Sequence, residues 1–266
     1  MPNSRISAGL ALTAGIVLAT ASAGSWQAHA ADMVTKAPAP ASSGLADVNS
    51  WVFWTSSDFK TNVAAGNVGG IYAFNGNLDS SGWLVRGQFT YVGYDFASTL
   101  APTGTAHGTF MDSAGAIGYQ VVGNGLMASG FIGPDYEQYT TNPVTAASTV
   151  VGNAWGVGFF GRLATVSGAL YPFAIDGNYS TANSTYWVRA RPGLRFANLT
   201  LGPEVIGIGN KVFDEFRVGA YASYDLSRYF IIQADVGYAD PTRGENTAGG
   251  RGGRGAYGGL TLVFLH

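Results

Sequence analysis

The 266-residue chain has no cysteine. Disulfide frameworks and thiolate metal centres are therefore excluded. Charge is also scarce: 11% of residues are Asp, Glu, Lys or Arg, less than half of the roughly 25% usual in a soluble domain. The formal net charge is -2, so the basic footprint of a nucleic-acid-binding protein is missing. Long apolar runs are missing beyond the first thirty residues. The longest uncharged stretch, Gln138 to Gly161, carries Thr, Asn, Gly and Pro143 and reads as a loop followed by a strand, not as a spanning helix. Patterns of the G-x-S-x-G, H-E-x-x-H and P-loop types are absent. What is abundant is glycine, with 39 residues, and aromatics, at 13%. Low charge with high Gly and aromatic content suits a β-sheet protein that faces a non-aqueous medium.

The first thirty residues carry an export signal. Arg5 is its basic region, Ile6 to about Thr20 its apolar region, and Ala28-His29-Ala30 an A-x-A cleavage site. The expected division is a signal peptide at 1–30, a Pro/Ala/Ser-rich linker at 31–47 and a β-barrel at 48–266.

The body alternates with period two. In WLVRGQFTYVGY (83–94), Trp83, Val85, Phe89 and Tyr91 oppose Arg86, Gln88 and Thr90. In EFRVGAYASYD (215–225), Phe216, Val218, Ala220 and Tyr224 oppose Glu215, Arg217 and Tyr221. In FIIQADVGY (230–238), Phe230, Ile232, Val236 and Tyr238 oppose Gln233 and Asp235. TYWVRARPGLRF (185–196) puts Arg189, Arg191 and Arg195 on one face and Val188, Leu194 and Phe196 on the other, with Tyr186 assigned to the lipid side. A soluble sandwich or lipocalin-like barrel would turn the apolar face inward. A transmembrane barrel turns it out into lipid.

Segment lengths near ten residues favour the membrane solution. So do the aromatics at segment ends, among them Trp51, Trp54, Tyr94, Phe96, Tyr136, Tyr139, Phe196, Tyr224, Tyr229 and Tyr238. Strands are expected near 50–59, 67–76, 82–96, 107–122, 125–137, 149–163, 165–179, 184–196, 198–209, 212–225, 229–240 and 255–264. The fold class is therefore an all-β, antiparallel, up-and-down transmembrane barrel of about twelve strands, ten being the alternative. Pro134, Pro192 and Pro203 are expected at strand ends or bulges. Phe264 stands third from the C-terminus, before Leu265 and His266.

The inward face then carries Arg86, Arg189, Arg191, Arg195, Glu204, Glu215, Arg217 and Asp235. Two readings stand open. These charges form ion pairs that fill and brace a narrow barrel, or they line a path for a polar solute. Trp187 and Tyr221 share the arginine face and would suit contact with a sugar chain. His107 is the only histidine in the body of the barrel, with Thr109, Ser113 and Asp112 nearby in sequence. A lone histidine at a loop–strand junction is a weak basis for catalysis. GGRGGRG (249–255) reads as a loop.

Three stretches carry a family resemblance: IYAFNGNLDSSGWLVR (71–86), GNYSTANSTYWVRARPGLRF (177–196) and LGPEVIGIGNKVFDEFRVGAY (201–221). They resemble the cellulose biosynthesis protein BcsS of alphaproteobacteria. DMVTKAPAP, in the linker, resembles the start of many alphaproteobacterial outer-membrane proteins. The resemblance implies an outer-membrane barrel associated with cellulose production, with outer-membrane lipid, a glucan chain and other cellulose-synthesis components as partners. It brings no catalytic residue set, metal or cofactor. A non-enzymatic accessory role is the expectation. A general small-solute porin and a lipid-modifying enzyme are the alternatives.

Overall fold

The computed structural model describes residues 49–99, 101–143, 150, 152–243 and 254–266. The signal peptide, its cleavage site at Ala30, the linker and most of GGRGGRG lie outside the described residues. No helix occurs among the described residues. The strands are β1 (Trp51–Lys60), β2 (Val63–Ala73), β3 (Gly82–Ala97), β4 (Thr105–Gly123), β5 (Leu126–Asn142), β6 (Gly152–Thr165), β7 (Phe173–Ser180), β8 (Tyr186–Pro192), β9 (Leu194–Phe196), β10 (Leu199–Gly209), β11 (Asp214–Ser227), β12 (Phe230–Arg243) and β13 (Gly255–Leu265).

Apart from β8 and β9, which do not pair with each other, each strand pairs antiparallel with its neighbours in the sequence, and β13 pairs with β1 to close the sheet. β8 and β9 form one stave interrupted at Gly193, since both pair with β10. The result is a closed barrel of twelve staves. Closure leaves no open sheet edge, which a membrane interior requires. At one end, here called proximal, the termini meet: Trp51 N–H donates to the His266 carbonyl at 2.9 Å, and the two rings stack at 5.3 Å. Three proximal connections are two-residue turns, at 124–125, 197–198 and 228–229. Asn124 and Gly125 both have positive φ, 52° and 77°, the form that matches the twist of a tight hairpin. The distal connections are mostly longer.

Alternation decides which residues meet lipid. Val85, Ile117 and Ile132 occupy successive paired positions on β3, β4 and β5, and all three are exposed. They belong to an aliphatic outer belt. Trp51, Tyr72, Trp83, Tyr119, Phe196 and Tyr224 ring the belt towards the proximal end; Phe59, Tyr91, Trp155, Tyr179 and Tyr238 ring it towards the distal end. Trp83 meets Tyr119 edge-on at 5.4 Å, and Trp155 packs on Tyr136 at 4.9 Å. An exposed apolar band between two aromatic girdles is the exterior of a membrane-spanning barrel.

Several expectations are corrected. Trp54, Tyr94, Phe96 and Tyr139 do not join the girdles, because their parity turns them into the barrel cavity. Tyr186 does not face lipid; it is half-buried and its hydroxyl donates to Asp214 Oδ1 at 2.9 Å. β2 runs from 63 to 73, not 67 to 76, and β5 continues to Asn142 rather than giving way to a loop at Gln138. The strand expected over 165–179 begins only at Phe173. Residues 166–172 form a loop, whose Leu170 and Pro172 carbonyls accept from Arg195 N–H at 3.0 Å and Gly193 N–H at 2.7 Å. The loop thus satisfies the donors of the broken stave.

Pro192 ends β8 as expected, but Pro134 and Pro203 lie inside β5 and β10. Each keeps a partner on one side, Val157 and Ala220 respectively. On the other side the ladder is interrupted, between β4 and β5 and between β8 and β10. A missing N–H is tolerated where no ladder bond is made. Both prolines follow a glycine, and in both cases the backbones crowd together. A Cβ on Gly133 would stand 1.9 Å from the Gly115 carbonyl oxygen, and one on Gly202 would stand 2.0 Å from that of Pro192.

Candidate functional site: the barrel interior

The inward face encloses a cavity of about 750 Å³ bordered by residues from all twelve staves. Six cationic side chains border it (Lys60, Arg86, Arg162, Arg189, Arg191 and Arg217), as do six anionic ones (Asp58, Asp79, Asp112, Asp176, Glu215 and Asp235). The lining therefore carries no field of one sign, and its chemistry depends on how the charges are paired.

On the β1/β11 side, Arg217 donates to Glu215 Oε1 and to Asp58 Oδ2, both at 2.6 Å. Lys60 pairs with the other oxygen of Glu215. The Arg217 guanidinium also lies 5.1 Å from the centre of the Tyr257 ring. Tyr257 donates in turn to Glu204 at 3.2 Å, and Glu204 is fully buried. Arg191 Nε stands 3.9 Å from Glu204 Oε2, and Arg191 also donates to Gln233 at 3.1 Å and stacks on Tyr221 at 5.0 Å. These bonds join strands that are not neighbours in the sheet, such as β1 to β11 and β8 to β12. They act as chords inside the ring.

On the other side, Arg86 lies between the rings of Trp54 and Phe160, 4.9 Å from each centre. It donates to Gln88 at 2.7 Å, and Gln88 donates to Asp112 at 3.2 Å. Asp176 sits between Arg162 at 3.1 Å and Arg189 at 3.5 Å. Arg189 lies 4.9 Å from the centre of the Trp187 ring. Arg86 and Arg189 thus each have an amide or carboxylate oxygen and an aromatic face, a combination that lowers the cost of burying them.

Of the residues singled out from sequence, Arg86, Arg189, Arg191, Glu215, Arg217, Asp235 and Trp187 border the cavity. Asp235 has no hydrogen bond or ion pair among the described residues. Glu204 and Tyr221 face inward but are buried behind the arginines, so Tyr221 offers no open face to a sugar. Arg195 keeps the inward parity yet sits at the proximal rim, 2.5 Å from Asp225, away from the cavity. The acidic partners Asp58, Asp176 and Asp225 were not singled out. Asp112, named only as a neighbour of His107, lies buried beside Asp135 and Glu137 on the inner wall of β4 and β5. Glu137 accepts from Asn183 at 2.8 Å and Thr185 at 3.1 Å and so anchors the β7–β8 connection.

His107 lies outside the barrel at the distal rim. Its Nδ1 is 2.5 Å from Asp95 Oδ1, whereas Asp112 points inward and Thr109 bonds Thr140 at 2.5 Å. Among the described residues no hydroxyl is hydrogen-bonded to the imidazole as an activated nucleophile needs. Among the described residues no cluster of His, Asp and Glu side chains is arranged to hold a metal ion.

Residues 52–265 match the family model described as cellulose biosynthesis protein BcsS, about four-fifths of the chain. The chain belongs to the BcsS family. No curated protein matches its sequence. Solved structures similar to this BcsS-family barrel include LpxR from Salmonella typhimurium (11% identity, TM-score 0.47, 81% of this chain and 100% of the other). The β domain of the Bordetella autotransporter BrkA is similar at 14% identity and TM-score 0.46, over 83% and 100%. The KdgM porin is similar at 8% identity and TM-score 0.41, over 80% and 98%.

Proposed function

We propose that this BcsS-family barrel is a non-catalytic accessory of bacterial cellulose biosynthesis and secretion, resident in the outer membrane of a Gram-negative cell. Export by the 1–30 segment, with cleavage near Ala30, delivers it there, and 31–47 is a linker ahead of the barrel. Its partners are outer-membrane lipid, a glucan chain and other components of cellulose synthesis. The observation that carries the glucan reading is the balanced lining. Six charges of each sign, mostly paired, and the flanking Trp54 and Trp187 suit a neutral hydroxylated solute better than an ion. The enzyme alternative is disfavoured because His107 pairs with Asp95 while the nearby Thr109 hydroxyl bonds Thr140 instead of the imidazole.

A deletion strain tests the role. Loss of surface cellulose, restored by the wild-type gene, is the expected result. Unchanged cellulose together with steady ion conductance of the purified protein would favour a general porin.

A further inference from the structure

We infer that the barrel is a cup closed at its proximal end, which binds a neutral oligosaccharide entering from the distal end, and not a through-passage. The inference rests on the glucan reading above and goes beyond it in naming a binding site, a ligand class and a direction.

Along its axis the cavity changes character. Near the proximal strand ends its wall is mostly apolar, with Val52, Ile71, Leu84, Ile231, Val263 and Leu265 beside Asp79, Gln120 and Ser129. The six aliphatic side chains offer no hydrogen bond, so a hydroxylated chain entering here would lose much of its water with little compensation. Apolar constrictions of this kind also exclude water and ions. The β2–β3 connection, residues 74–81, folds into the same region. Leu78 packs on a buried cluster that includes Leu84, Phe131 and Phe160. Its N–H donates to the Asn49 carbonyl at 2.8 Å. Gln120, buried on β4, fastens the turn by donating to the carbonyls of Leu78 at 2.6 Å and Ser80 at 3.1 Å. One side chain thus holds two backbone oxygens of an inward-folded turn, and that turn narrows the mouth.

The middle of the cavity is the opposite. Five residues bordering it each have a buried polar atom without a hydrogen-bond partner: Oδ1 of Asp58, Asp112 and Asn178, and Nε of Arg86 and Arg189. Asp112 is itself more than nine-tenths buried. Buried polar atoms are normally satisfied, so a band of such atoms on residues that border one cavity marks a place where a ligand, with a small shift of those side chains, completes the network. Three are acceptors and two are donors. A sugar hydroxyl does both jobs and adds no charge, while the apolar face of its ring suits the bordering Trp54 and Trp187. A charged sugar would unbalance charges that are already matched.

The test uses the full mature barrel in detergent micelles and in planar bilayers. Titration with cellotetraose is expected to change tryptophan fluorescence saturably, and a uronic acid tetramer of the same length to bind at least about ten-fold more weakly. Asp112→Asn and Arg86→Gln each lower cellotetraose affinity by about ten-fold or more, the scale of one hydrogen bond to a charged group. In bilayers the wild type shows no steady conductance. A Leu78→Gly, Gln120→Ala double variant conducts, and cellotetraose blocks it. A wild-type protein that binds no cellotetraose, that binds the uronic acid equally well, or that conducts steadily would overturn the inference; these measurements need no variant to fold. If cellotetraose fails to bind while deletion still abolishes surface cellulose, the cup is wrong and the cellulose role stands.

Discussion

Arg217 is the side chain whose loss should be most costly to the barrel. It holds Glu215 and Asp58 at 2.6 Å each and stacks on Tyr257, so it joins β11 to β1 across two intervening strands. Replacing it with Met keeps the volume but leaves two carboxylates without their shared cation. Removing one partner of a buried ion pair costs about 3–5 kcal/mol. Two features moderate this. Glu215 keeps Lys60, and the Asp58 side chain is 30% exposed to the cavity, where water can solvate it. The expected loss for Arg217→Met is therefore about 3 kcal/mol, towards the lower end of that range. Arg195→Met is the control. Its partner Asp225 lies at the rim and both side chains are nearly a third exposed, so its loss should stay below about 1 kcal/mol. Urea titration of the barrel folded into lipid vesicles, read by tryptophan fluorescence and by heat-modifiable gel mobility, measures both. Adding Asp58→Asn and Glu215→Gln to Arg217→Met should recover part of the loss, since the uncompensated charges are gone. An Arg217→Met barrel no less stable than Arg195→Met would refute the bracing role.

Other perturbations probe the wall. Ile117→Arg places a cation in the outer belt and should cost about 2–4 kcal/mol of folding free energy in vesicles; wild-type stability would contradict the lipid-facing assignment of that row. Gly202→Ala pushes a methyl group into the Pro192 carbonyl and should destabilise by about 1–3 kcal/mol, whereas Gly87→Ala, with open space around the added carbon, should fold like the wild type. Equal behaviour of the two in the same urea titration would remove the close approach at the β8–β10 gap. His107→Ala should leave the lipid profile of the cell unchanged, and a shift in acyl composition would reopen the enzyme alternative.

Much of the wall was legible in the sequence because period-two alternation is a local property. Arg86, Gln88 and Thr90 line the cavity while Trp83, Val85, Phe89 and Tyr91 are exposed, as the 83–94 pattern requires. The pattern fades where residues are small. Val63, Ala65 and Asn67 lack a contrast between faces, so the start of β2 was placed four residues late. VSGALYP (166–172) has strand-like apolar content, yet Gly168 takes a positive φ of 86° and Pro172 offers no donor, and the chain loops there. The ion pairs were less legible. Asp58 and Arg217 are 159 residues apart, and their meeting depends on the stagger of a closed sheet, which no single segment encodes. Trp54, Tyr94 and Tyr139 were assigned to the girdles by their place at segment ends, but parity, not position along the strand, decides which side of a wall a side chain faces.

Cells lacking the gene, complemented with a barrel carrying Arg86→Gln and Arg189→Gln, test the central claim most directly. Both changes alter the polar band of the cavity and spare the Arg217 brace. With insertion into the outer membrane verified by gel mobility, surface cellulose is expected to fall well below that of cells complemented with the wild type. Wild-type amounts of cellulose from a correctly inserted double variant would contradict a role for the barrel interior in handling glucan.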